Sequence, residues 1–301
     1  MPWRIEHEER ELYDSELALR AAMAAGVRVT FQSDTTAIEG TCNLFEERGQ
    51  IDLVVDGKLV ASVNLANQSS FQFENLSAGT KIVELWLPQF GETRLSGLGI
   101  DVEADISATP ESNAKKWITY GSSISQCSAA DSPTKTWPAI VARTSGYDLT
   151  CLGFGGQCHL DPMIARVIRD SEADLISMCL GINIYGSRSL NQRTFYPGIL
   201  GFVKIVREKH PTTPIVLISP IYSPGRETEL NDVGFSLKQM RDEVKRAYET
   251  LNAHGDENIT YINGLDIFGS DKAHLLPDDL HPNNEGYGIM ADNLLGLLPK
   301  I

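Results

Sequence analysis

From Trp117 to the C-terminus, short and almost uninterrupted apolar runs alternate with stretches of helical period, and few folds accommodate that grammar. The runs at 117–120, 148–152, 173–180, 214–219 and 258–263 have strand length without polar alternation, the pattern of strands buried on both faces. Between them, 161–169, 197–209 and 235–254 carry helical spacing. In the last of these, Leu237, Met240, Val244, Ala247 and Leu251 share one face. Such alternation predicts a parallel sheet covered by helices on both sides. Active sites in such sheets lie beyond the C-terminal ends of the strands. Residues 121–125, 153–159 and 181–185 all fall there, so three loops are expected to converge on one edge.

The first 106 residues follow a different rule. Segments 26–31, 51–55, 59–63, 70–73, 81–87 and 97–102 read as short strands separated by Gly, Asn and Asp, with Asp56-Gly57 as a hairpin turn. This spacing predicts an antiparallel β-sandwich, jelly-roll-like in outline. Residues 11–25 are expected to form a short helix with Leu12, Leu17, Leu19 and Ala22 as its apolar positions. Residues 107–116 are polar, contain one proline and lack periodicity, which reads as a linker. A chain of 301 residues exceeds what one core usually supports. The expected division is therefore 1–106 as an accessory β-sandwich, 107–116 as linker and 117–301 as the α/β domain.

Composition narrows the function classes. Hydrophobic residues at 42% suffice for a proper core. A formal charge of −14 argues against nucleic acid or an anionic membrane surface as partner, because no basic patch is available to release counterions. No stretch approaches the length of a membrane span, and residues 1–20 lack the apolar core of a secretory signal. Five cysteines form no disulfide framework, so free thiols in a reducing, cytoplasmic compartment are expected. The glycines at 153, 155 and 156 have the wrong spacing for a dinucleotide site, and no P-loop occurs.

Two segments carry chemistry. Tyr120-Gly121-Ser122-Ser123-Ile124-Ser125 ends a strand in a sharp, serine-rich turn of the kind that lifts a hydroxyl above a sheet edge. Asp278-Asp279-Leu280-His281-Pro282 sets a carboxylate three residues from an imidazole, ahead of a predicted C-terminal helix. A serine hydroxyl becomes a nucleophile when an oriented base takes its proton. Ser123, His281 and Asp278 supply nucleophile, base and orienter, which points to a serine ester hydrolase or acyltransferase.

From about Trp117 onward these segments, in this order, resemble the SGNH (GDSL-type) hydrolase family. The resemblance implies a flavodoxin-like three-layer α/β/α domain and a reaction needing neither metal nor cofactor. It assigns Ser123 as nucleophile, and the backbone N–H groups of Ser123 and Gly156 with the Asn183 amide as oxyanion donors. Ser122 stands where the eponymous motif has Asp, Ile124 where it has Leu, and Asn183 lacks the Asp that often follows it. A Gly-Ser-Ser-Ile opening, together with an N-terminal β-sandwich, is similar to a two-domain branch of the family. Asn183 has a second reading, as the cap of a turn.

Ser122, Gln157, His159 and Tyr185 are candidate substrate contacts. Ser122 and Ser125 have the alternative of bonding the loop backbone, and His159 that of capping the helix near Asp161. Arg188, Arg193 and Arg226 sit in polar loops and are expected at the surface. His274, Asp278 and His281 have no further donor at metal spacing. The expected substrate is a small acyl ester, with an acetylated carbohydrate as the first guess. Two alternatives stand beside hydrolysis: acyl transfer to an alcohol by the same triad, and a non-catalytic glycan-binding protein on a hydrolase scaffold. Nothing in the sequence bears on oligomeric state.

Overall fold

The computed structural model describes residues 2–110 and 113–301, so positions 111 and 112 of the predicted linker lie outside the described residues. In the C-terminal half, strands β9 (Lys116–Gly121), β10 (Asp148–Gly153), β11 (Leu175–Cys179), β12 (Ile215–Ile218) and β13 (Ile259–Ile262) form one parallel sheet in the order β10-β9-β11-β12-β13. Strand residues alternate between two cores, as a period of two requires. Ile118, Tyr120, Ile176, Met178, Ile215 and Leu217 face helices α4 (Pro162–Asp170), α6 (Gln192–Arg207) and α7 (Leu237–Ala253). Trp117, Leu175, Val216 and Ile218 face α3 (Trp137–Ser145) and α8 (Asn284–Leu297). The predicted three-layer α/β/α domain is therefore present, and its strand order reverses at β9, where open α/β sheets form their binding crevice.

Two antiparallel sheets precede it. One has the order β4-β3-β6-β1-β8, from β1 (Arg28–Ser33), β3 (Gln50–Val55), β4 (Lys58–Asn64), β6 (Lys81–Trp86) and β8 (Ile106–Ser107). The other has the order β5-β2-β7, from β2 (Ile38–Cys42), β5 (Ser70–Phe73) and β7 (Leu95–Ile100). Phe31, Leu53, Val83 and Leu85 of the first share one apolar core with Ile38, Phe71 and Phe73 of the second.

Some sequence expectations shift. Strand β2 was not expected, because Gly40 interrupts its apolar pattern; a Cβ there would lie 2.1 Å from the Phe71 ring that folds across it. Helix α6 begins at Gln192 rather than Pro197, since the Asn191–Thr194 capping box starts it earlier and Pro197 falls inside. The helix expected over 11–25 is a 3-10 turn (His7–Leu12) followed by α1 (Ser15–Ala21), which Asp14 caps. Leu17 and Ala21 reach the core of the α/β unit, whereas Leu12 and Leu19 are exposed, because so short a helix buries a single face.

The two halves are joined by polar contacts. Asp52 of β3 is fully buried, and its carboxylate accepts from Ser62 Oγ (2.6 Å), Ser132 Oγ (2.7 Å), Thr134 N (2.9 Å) and Thr134 Oγ1 (2.5 Å). Arg4, also buried, donates to the carbonyls of Arg20, Met23, Cys151 and Gly153, with its guanidinium 4.7 Å from the Phe154 ring. Burial lowers its pKa to about 10. Asp52→Ala removes the acceptor for all four donors at once. It is expected to destabilise the fold by about 3 kcal/mol, read as a lower urea midpoint than wild type.

Candidate active site

Strand β9 ends at Gly121, and the chain turns at once into the short helix α2 (Ser123–Gln126). Two clearances allow this turn. A Cβ at Gly121 would lie 2.2 Å from Ser125 Oγ, and one at Gly153 would lie 2.3 Å from the Gln126 nitrogen. Ser122 caps the helix, its hydroxyl accepting from Ile124 N–H at 3.1 Å. Ser123 is thus the first helical residue, and its own N–H has no intrahelical acceptor.

Ser123 Oγ lies 2.8 Å from His281 Nε2, and His281 Nδ1 lies 2.6 Å from Asp278 Oδ2. A ring nitrogen facing a carboxylate carries the proton, so Nε2 is left to accept the Ser123 hydroxyl proton. Asp278 Oδ1 also accepts the N–H groups of Leu280 (3.1 Å) and His281 (2.7 Å). Burial pushes the Asp278 carboxyl up, but the bonds from the His281 ring and backbone and from Leu280 outweigh it. The group ends below the usual carboxylate range. It therefore stays ionised through neutral pH, as the orienter of an imidazole must.

Residues 154–159 follow β10 and lie beside this pair. Gly156 adopts φ +76° with nothing within 4 Å of where a Cβ would sit. The glycine thus answers to its left-handed backbone rather than to crowding within the protein. Helix α5 (Ile182–Ser187) starts at Gly181, whose φ of +121° also needs glycine. It carries Asn183, whose Oδ1 accepts the Cys158 N–H at 3.0 Å. That bond sets the amide's orientation and leaves its NH2 as the free end. Among the described residues, neither the Ser123 N–H, the Gly156 N–H nor the Asn183 NH2 has an acceptor. Donors left without acceptors are the kind of group that stabilises an oxygen gaining negative charge.

The candidate substrate contacts divide. Ser122 is buried and engaged as a cap, so it offers no surface to a substrate. Gln157 is half-buried and its side chain has no hydrogen bond among the described residues. His159 does not cap α4, whose N-cap is Asp161. Its Nε2 lies 2.9 Å from the Gly156 carbonyl and its Nδ1 2.8 Å from Ser189 Oγ. The carbonyl can only accept, so Nε2 donates and the Ser189 hydroxyl donates to Nδ1. The ring braces the loop that carries Gly156. Tyr185, half-buried in α5, donates from its hydroxyl to the Glu229 carbonyl at 3.4 Å. Cys127 is buried, and burial raises its thiol pKa well above the ordinary value, so it is no rival nucleophile.

Sequence reasoning missed two braces. Gln126 Oε1 accepts the Gly155 N–H at 2.7 Å, while its Nε2 donates to the Gln89 carbonyl at 3.1 Å, linking the N-terminal half to this loop. Arg226, expected at the surface, donates to the Asp279 carbonyl at 2.8 Å. The chance of a side-chain amide bridging two backbones leaves no motif, and neither position stands out by spacing. Among the described residues no group of three His, Cys, Asp or Glu is arranged to hold a metal, and no helix is long and apolar enough to cross a membrane.

Comparison with known proteins bears on the whole chain. The model of the GDSL-like lipase/acylhydrolase family matches residues 114–298, and that of the SsfX3 N-terminal domain matches residues 1–96. The structure of the salicylyl-acyltransferase SsfX3 from a tetracycline biosynthetic pathway is 34% identical, with a TM-score of 0.90 over 99% of this chain and 91% of that one. A family two carbohydrate esterase from Clostridium thermocellum, solved with cellohexaose, shares the fold at 16% identity, with a TM-score of 0.71 over 91% of this chain and 92% of that one. The acetyl xylan esterase Est2A from the rumen bacterium Butyrivibrio proteoclasticus does so at 16% identity, with a TM-score of 0.59 over 91% and 89%. No curated protein sequence matches the chain.

Asn183→Asp keeps an acceptor for the Cys158 N–H but replaces the open NH2 by a carboxylate oxygen. Acyl-transfer turnover is expected to fall about 10²–10³-fold with an unchanged melting temperature. A turnover within a few-fold of wild type would show that the amide donates to nothing in the reaction.

Proposed function

The chain belongs to the GDSL-like lipase/acylhydrolase family, and we propose that it cleaves a small acyl ester through an acyl-enzyme on Ser123. The observation that carries this reading is the unbroken chain Ser123–His281–Asp278, at 2.8 and 2.6 Å, beside three open donors. In this mechanism Ser123 Oγ attacks the ester carbonyl while His281 Nε2 takes its proton. Asp278 holds the tautomer and stabilises the imidazolium. The N–H groups of Ser123 and Gly156 and the Asn183 amide receive the charge on the tetrahedral oxygen. His281 then protonates the departing alcohol, and a water, deprotonated by the same ring, releases the acid.

Acyl transfer is the second reading, and the 34% identity to a salicylyl-acyltransferase over both halves of the chain favours it. The steps are the same except that an acceptor alcohol replaces water. A non-catalytic glycan-binding role is the weaker alternative, because it leaves the intact set of Ser, His, Asp and open donors without a use. The division proposed is an accessory β-sandwich at 1–106, a linker at 107–116 and a catalytic domain at 117–301, with the sandwich walling one side of the cleft. Gln89 and Arg4, which reach the 153–156 loop or its braces, support the walling role. An acetylated carbohydrate belongs among the esters to test, since esterases named for carbohydrate substrates share this two-part fold. A cytoplasmic location fits five unpaired cysteines, four of them buried.

The test is hydrolysis of p-nitrophenyl esters from acetyl to octanoyl, with and without an acceptor alcohol, by wild type and Ser123→Ala. Turnover falling with chain length, and reduced about 10⁶-fold in the mutant, is the expected result. Acyl-alcohol product accumulating in preference to free acid would select the transferase. A folded Ser123→Ala enzyme that keeps its rate would remove the nucleophile assignment.

A further inference from the structure

The Asp278–His281 segment belongs to no helix or strand, and the Asp278 side chain is 53% exposed. Within it Asp279 adopts φ +59°, a left-handed conformation that aspartate tolerates better than most residues and that suits a tight turn. The contacts that fasten this turn come from the loop after β12. Ser223 Oγ donates to the Asp279 carbonyl at 2.6 Å and Arg226 Nη1 donates to the same oxygen at 2.8 Å. Arg226 Nη1 also bonds Ser223 Oγ at 3.0 Å and lies 3.4 Å from the Pro224 carbonyl.

This loop is itself fastened to the body of the domain. Glu227 Oε1 accepts the Ser223 N–H at 3.1 Å, and Glu227 Oε2 pairs with Arg241 of α7. Arg241 is buried and donates to the Pro220 carbonyl at 3.2 Å. A continuous path of polar contacts thus runs from α7 through Glu227 and Ser223 to one peptide carbonyl, and Arg226 closes it. That carbonyl belongs to Asp279, one of the two residues between Asp278 and His281 in the turn. Moving it re-aims both side chains.

We propose that Arg226, with Ser223, is a positioning residue that holds the Asp278–His281 turn in register with Ser123. The inference rests on the acyl-enzyme reading for its kinetic consequence but not for its structural one. A misplacement of about 1 Å at reacting groups costs about 10²-fold in rate, so Arg226→Ala is expected to lower kcat about 10–100-fold. KM should stay within twofold, because the hydrogen bonds of Arg226 run to Ser223, Pro224 and Asp279 and to none of the candidate substrate contacts. Every contact runs through the single nitrogen Nη1, so a lysine ammonium can replace it, and Arg226→Lys is expected to recover most of the rate.

The experiment measures kcat and KM for Arg226→Ala, Arg226→Lys and Ser223→Ala on the best p-nitrophenyl ester, together with melting temperature and the His281 Nδ1 proton by NMR. In wild type that proton, held against Asp278, should resonate far downfield. It should broaden or vanish in Arg226→Ala and return in Arg226→Lys. Ser223→Ala removes only a hydroxyl and serves where Arg226→Ala does not fold. An unchanged downfield proton and a kcat within twofold of wild type in both alanine variants would overturn the proposal, as would a lysine variant no better than alanine. If wild type turns over no ester, with or without an acceptor alcohol, the acyl-enzyme reading fails by itself and the NMR signal alone decides this one.

Discussion

The contact on which the site depends is one of backbone against backbone, where the Ser125–Gln126 peptide lies directly on Gly153. No side chain fits between them, and that closeness sets the height of Ser123 above the sheet edge. It also carries Gln126 to the Gly155 N–H, which ties the helix bearing Ser123 to the loop bearing Gly156. Electrostatic stabilisation of a developing charge needs donors that do not reorganise during the reaction. Packing at Gly153, the Arg4 grip on its carbonyl and the His159 bond to Gly156 supply that rigidity from three directions.

Rigidity on the other side of the cleft has a different origin. His281 lies 158 residues from Ser123, on a turn whose own hydrogen bonds are local to Asp278. Local bonds define the shape of such a turn but not its place in the molecule. Its place is set by the loop after β12, through Ser223 and Arg226. The candidate site therefore joins a tightly packed half, which holds Ser123 and Gly156, to a hydrogen-bonded half, which holds His281 and Asp278. The N-terminal sheets bear on the first half, through Asp52 against the 132–134 turn ahead of α3 and Gln89 beside Gln126.

Much of this was legible in the chain. The apolar runs and helical periods of 117–301 are consequences of burying a parallel sheet on both faces, so they predict the three-layer domain and its active edge. Where the pattern was broken, reading failed for identifiable reasons. Gly40 hides β2 because an aromatic ring from the neighbouring strand fills the missing side chain's place. Pro197 marks the start of α6 in the sequence pattern because the capping box that opens six residues earlier uses Asn and Thr, which also mark loops. Ser122 looked available to substrate because sequence cannot separate a capping hydroxyl from an open one.

The chain's own pattern carries the kinds of element, their order, and the candidates for the site: Ser123, Asp278, His281, Gly156 and Asn183 all stand in recognisable local settings, and the first three meet. Only the tertiary structure decided what holds them. Arg4 reaches a carbonyl 149 residues away, Asp52 a hydroxyl 80 away and Arg226 a carbonyl 53 away. Two of these acceptors are backbone carbonyls, which every residue carries, so nothing at the partner position advertises the contact. Periodicity records which side of an element is buried. It does not record which loop a buried charge will find when the chain closes around it.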